Sequence, residues 1–185
     1  SADVRAVVFT GAMDYWPNVD AVCWFADEIL PVLREADARV TFFIVGTNPA
    51  PEVRALAKHA GIHVTGRVPD VRPYLEHALA AVAPMRVARG VQNKVLEAMA
   101  MARPVLLTAS GLEGIAACDG EHVLLAETAA DYADRLKGLL DSRYGNIGER
   151  ARALVRSRFS WDSCLPEVVA LLTGAEAATV GVQHA

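Results

Sequence analysis

The sequence predicts an α/β fold: a Rossmann-like, doubly wound parallel sheet of about six strands with helices on both faces. Three observations predict it. Short β-branched runs alternate with longer helical stretches along most of the 185 residues. The runs TFFIV (41–45) and PVLL (104–107) are continuously apolar, as strands covered on both faces must be. Three early strands end in glycine, at Gly11, Gly46 and Gly66, which places tight turns along one rim of the sheet.

Taken in order, RAVVFT (5–10) reads as a strand and 19–36 as a helix, with Asn18 as a candidate N-cap and Pro31 expected to kink it. A strand over 39–45 leads to a helix over 51–60 with Pro51 in its first turn and Gly61 as its stop. IHVTG (62–66) is a short strand, 71–78 a short helix and 79–85 an Ala-rich strand. The helix over 91–102 precedes a strand over 104–109 and a helical turn over 111–118. A last strand over 122–127 is followed by helices over 128–142, 147–159 and 161–174, with Trp161 opening the final one. The tail, 175–185, has small residues and little pattern and is expected to fray.

Composition narrows the function. A hydrophobic share of 53% is ample for one core. A net charge of −4 argues against general nucleic-acid binding, which calls for a basic face. Cys23, Cys118 and Cys164 form no CxxC pair, so neither a zinc site nor a disulfide framework is expected, and the chain reads as reduced and cytoplasmic. No apolar run has the roughly 18 residues of a membrane span. The sequence begins SADVR, without Met, and reads as part of a longer protein. GxGxxG, GxxxxGK[ST], GxSxG and HExxH are all absent. His59 and His63 have helical metal-site spacing, but Gly61 stands between them. Trp16, Trp24 and Trp161 are expected as core or interdomain packing groups.

The informative stretch is GVQNKVLEAMAMARPV (90–105). It places Arg86, Arg89 and Lys94 at a helix start, where unpaired N–H groups already carry partial positive charge. Such a start suits a strong anion such as a diphosphate. Glu97, one turn in, lies on the same side as Asn93 and Lys94. A carboxylate there can accept hydrogen bonds from a pair of sugar hydroxyls. Spacing alone equally allows a plain Lys94–Glu97 surface pair.

The segment APMRVARGVQNKVLEAMAMARPVLLTASGLEGI (83–115) resembles the nucleotide-sugar-binding half of GT-B fold glycosyltransferases of family 4, also called group 1. The opening FTGAMDYWPNVDAVCWF, the stretch FFIVGTNPAPEVRALAKHAGIHVTGRVPDVRPYL and the closing FSW are similar to a bacterial subgroup of it, linked to exopolysaccharide synthesis and exosortase sorting. The resemblance covers about residues 5–172.

It implies a C-terminal donor-binding domain over 1–174, with the N-terminal acceptor domain absent from this chain. It implies a retaining enzyme that moves a sugar from a nucleoside diphosphate to an acceptor, and this part alone is not expected to turn over. No metal or other cofactor is expected. Any membrane association would lie largely with the absent half, peripheral to the inner membrane. Glu97 matches the second Glu of the family's spaced pair, which holds the ribose. The first Glu would fall at Arg89, a departure that puts the sugar contacts in question. Arg89 and Lys94 are the candidate catalytic cations. Arg86, Gly90, Val91, Gly11, Asn18, Arg67, Val68 and Glu113 are the further donor-binding candidates. Asn18 is equally a helix cap, and Arg67 and Arg72 equally solvated. Two alternatives remain: a sugar-nucleotide epimerase domain using His63, Glu113 or Asp70 as acid and base, and a non-enzymatic Rossmann-like binding module.

Overall fold

The computed structural model describes residues 4–159. The helix expected over 161–174, with Trp161 and Cys164, and the tail lie outside these residues. Six parallel strands form the sheet: β1 (Arg5–Thr10), β2 (Val40–Val45), β3 (Ile62–Gly66), β4 (Ala80–Ala83), β5 (Val105–Leu107) and β6 (Leu124–Leu125). Their spatial order is β3-β2-β1-β4-β5-β6, that of a doubly wound sheet. The chain winds outward from β1 to β3, then returns to start again at β4 beside β1. Right-handed crossovers on the two sides of this reversal place their helices on opposite faces.

α1 (Trp16–Trp24) begins two residues before Asn18, so Asn18 lies inside its first turn and Tyr15 holds the N-cap position. Pro17 occupies the first turn, where no N–H is needed. The kink expected at Pro31 takes the form of a π turn over Phe25–Ile29, followed by α2 (Leu30–Ala36). Pro31 has no N–H to give to the preceding turn, and the Leu30 N–H reaches back five residues to Phe25 O. α3 (Pro51–Leu56) is four residues shorter than its pattern, because Ala57–Ala60 close in tight turns before Gly61.

α4 (Arg72–Glu76) and α5 (Asn93–Ala100) precede and follow β4. α6 (Ala109–Leu112) is a single turn capped by Thr108, whose hydroxyl accepts from Gly111 N–H. α7 (Ala129–Leu140) opens on a Thr128/Asp131 capping box, and α8 (Ile147–Arg158) packs on α5. β6 is only two residues long, against six in the sequence pattern, because His122 and Val123 are held in a turn against Cys118 O.

The core runs through the sheet's centre. Val7, Val8, Phe9, Phe42, Ile44, Val82 and Leu106 are buried. Every residue of β4 and β5 is buried. Phe25 joins this core against Phe42 and Tyr132, with ring centroids 4.4 and 5.7 Å away. Trp24 packs beside it, as expected, but Trp16 is 60% exposed.

Candidate functional site

The reversal of strand order between β1 and β4 opens a crevice at the carboxyl end of the sheet, where such folds bind ligands. A cleft of about 510 Å³ lies there. The ends of β1 and β2 form its floor through Thr10, Gly11, Val45, Gly46 and Thr47. Val68 and Val71 close one side, and Tyr15 and Asn18 another. The loop into α5 and its first turns supply Arg89, Val91, Gln92, Asn93, Lys94 and Glu97.

The floor requires glycine at two places. A Cβ on Gly46 would lie 1.6 Å from Gly11 O, so the two strand ends meet backbone to backbone. A Cβ on Gly11 would lie 2.8 Å from Asn18 Nδ2 and 3.5 Å from Lys94 Cε. The absent side chain is the space into which those two groups reach.

Asn18 and Lys94 form the polar centre. Asn18 is buried; its Nδ2 donates to Ala12 O at 2.9 Å, and its Oδ1 accepts from Lys94 Nζ at 3.0 Å. Lys94 Nζ also donates to Gln92 Oε1 at 3.2 Å and stands 5.2 Å from the Phe9 ring centroid. All its partners are neutral. Burial pushes the ammonium down to about 8, although the nearby Glu97 charge pulls the other way. A half-buried cation held by neutral oxygens gains from any anion that enters beside it.

Glu97 is exposed at the cleft. Its carboxylate makes no hydrogen bond or ion pair among the described residues, so the Lys94–Glu97 surface pair does not form. The lysine turns to Asn18 and Gln92 instead. Val95, Ala98 and Met99 are the face of α5 that packs, leaving Glu97 turned outward.

Of the sequence candidates, the cleft gathers Arg89, Lys94, Glu97, Val91, Gly11, Asn18 and Val68. It does not gather Arg86, Gly90, Arg67 or Glu113. Arg86 is paired with Asp20 through a two-pronged contact and lies over the Trp24 ring, so its charge is spent on α1. Gly90, at φ +66°, turns the chain from Arg89 into α5. Arg67 is exposed beside Val68. Glu113 is exposed after α6, and the next residue, Gly114, packs against Val91 at the cleft rim.

The three acid/base groups of the epimerase alternative lie elsewhere. His63 stacks on Phe43 at 4.9 Å, and Asp70 is paired with Arg72. Tyr15, Thr47 and Val71 line the cleft without having been singled out from the sequence. Thr47 and Tyr15 follow the strand-end glycines Gly46 and Gly11, which was the available signal.

A sequence-family model described as "Glycosyl transferases group 1" matches residues 4–142. The chain belongs to the group 1 glycosyltransferases. No curated protein matches it. Solved structures with the same fold include Anabaena HepE in complex with UDP-glucose, at TM-score 0.75 and 14% identity over 94% of this chain and 50% of HepE. Sucrose-phosphate synthase from Thermosynechococcus elongatus matches at 0.72 and 19% identity, over 95% of this chain and 47% of the synthase. The C-terminal domain of a group 1 family protein, LpcC from Francisella tularensis, matches at 0.66 and 18%, over 85% and 87% of the two chains. This glycosyltransferase chain therefore spans about half the length of HepE and of the synthase. At these identities the likeness is one of fold. Among the described residues, no helix of this glycosyltransferase chain is long and apolar enough to cross a membrane.

Proposed function

We propose that the chain is the C-terminal, donor-binding half of a retaining glycosyltransferase that moves a sugar from a nucleoside diphosphate to an acceptor in polysaccharide or glycoconjugate synthesis. The observation that carries this reading is the grouping of Lys94, Arg89 and the start of α5 around one cleft, with the free Glu97 carboxylate one turn further in. The cations and helix N–H groups suit a diphosphate. Glu97 suits the two hydroxyls of a ribose. A cleft that offers an anion site and a diol acceptor together fits a nucleotide better than it fits a simple anion. The group 1 family and the fold shared with LpcC's C-terminal domain support the same reading.

In transfer, the bond between the sugar's anomeric carbon and the diphosphate oxygen breaks, and the electron pair leaves with the diphosphate. Lys94, Arg89 and the α5 amides meet that growing charge. The acceptor hydroxyl forms the new bond on the same face of the sugar and passes its proton to the departing diphosphate oxygen. The acceptor would be held by an N-terminal domain facing this cleft, and the full enzyme would act in the cytoplasm or at the inner face of the membrane. This assignment gives the diphosphate's charge to the chain's own cations, with no metal called upon.

Calorimetric titration with UDP, GDP, ADP and TDP tests the reading. One diphosphate should bind selectively, and Lys94→Ala and Glu97→Ala should each weaken it about tenfold or more. Binding of all four unaffected by both substitutions would contradict it.

A further inference from the structure

Beside the main cleft lies a second cavity of about 290 Å³, walled by Tyr15, Trp16, Pro17, Val87, Ala88 and Arg89. Tyr15 and Arg89 line both spaces. The walls are otherwise apolar, and the large groups are open: Tyr15 is 55% exposed, Trp16 60% and Val87 44%. No acidic side chain lines this cavity. Its one charge is the Arg89 guanidinium, which makes no hydrogen bond or ion pair among the described residues. Arg86, three positions earlier, differs in being held by Asp20.

We propose that this side cavity receives the donor's sugar and that Arg89 selects a sugar bearing a carboxylate, a nucleoside-diphosphate uronic acid, over the neutral sugar. The inference rests on the donor-site reading above and adds the sugar class to it. A diphosphate seated at Lys94 and the α5 start leaves the group attached to it next to the wall that the two spaces share. A pyranose ring presents an apolar face to Tyr15 and Trp16. A guanidinium has five N–H donors on a rigid fork, so one edge can meet a phosphate oxygen while the other grips a carboxylate through two parallel bonds. A neutral sugar offers that second edge only hydroxyls. A cationic side chain on a cavity wall that carries no acid is matched by an anionic ligand group.

Paired titrations test the inference: UDP-glucuronate against UDP-glucose, and GDP-mannuronate against GDP-mannose, each beside the bare diphosphate. In the pair whose base the chain accepts, the uronate should bind on the order of tenfold tighter than the neutral sugar. Arg89→Gln should bring the two to within about twofold of each other, and Arg89→Lys should restore only part of the difference. The readout is the ratio within one variant, so a general loss of diphosphate affinity does not mimic it. Equal affinities in the wild-type chain, with the diphosphate still bound, would overturn the sugar assignment and leave the donor site standing. A preference that survives Arg89→Gln would also overturn it. Failure of every nucleotide to bind would overturn the donor-site reading and this inference with it.

Discussion

Asn18 Oδ1 accepts a hydrogen bond from Lys94 Nζ at 3.0 Å, joining α1 to α5 across the end of β1. The two residues are 76 positions apart. The same Asn18 is tied to the loop after β1 through Ala12 O. One buried amide thus fixes both the loop and the cation. Asn18→Ala is expected to cost about 1–2 kcal/mol of stability, since it leaves buried polar groups unpaired. It should also weaken diphosphate binding by freeing the ammonium. Urea unfolding and calorimetry on one variant check both.

Lys94 predicts a pH dependence. With the ligand-free ammonium at about 8, a diphosphate binds best when the lysine is charged and raises its proton affinity. Diphosphate affinity should therefore fall as pH rises above about 8, by up to roughly tenfold per unit. Lys94→Arg, which stays charged, should flatten that profile. Stability runs the other way. The folded value lies below the unfolded one, so between about 8 and the ordinary 10.5 the unfolded chain binds more protons, and folding is favoured as pH rises. Lys94→Met should lose this contribution, seen as a shallower rise in unfolding free energy over that window.

Gly46 makes a steric prediction. Any Cβ there would overlap Gly11 O, and the clash is backbone against side-chain root, with no rotamer to relieve it. Gly46→Ala should destabilise by about 2 kcal/mol or more and spread the cleft floor. A lowered melting temperature together with lost diphosphate binding is the expected result.

Much of this architecture was readable in the sequence, because period and punctuation are local. The six strands and their alternation with helices follow from β-branched runs and glycine stops, and RAVVFT and IHVTG form strands with those same bounds. Readings that depended on distant partners did not follow. Pro17 is a local sign that α1 starts before Asn18, but nothing within a few residues reveals that Asn18 faces Lys94. Nothing near Arg86 reveals Asp20, 66 positions away. The three cations at the start of α5 look equivalent in sequence, yet one is salt-bridged, one held by neutral oxygens and one open at the rim.

Glu97 and Lys94 should separate the halves of a nucleotide. Inorganic pyrophosphate carries the anionic part alone. Glu97→Ala should leave pyrophosphate affinity within about twofold, or raise it by removing a negative charge, while weakening the nucleotide about tenfold. Lys94→Ala should weaken both ligands. Calorimetry with the two ligands on the two variants completes the comparison.

The most direct measurement is amide shift mapping of the ¹⁵N-labelled chain titrated with the nucleoside diphosphate that it binds. The account predicts the largest changes at Gly11, Thr47, Val68 and the stretch from Val91 to Lys94, around the cleft between β1 and α5. Changes centred instead on the groove between α2 and α7, lined by Leu33, Asp37 and Lys137, or no change with any diphosphate, would contradict it.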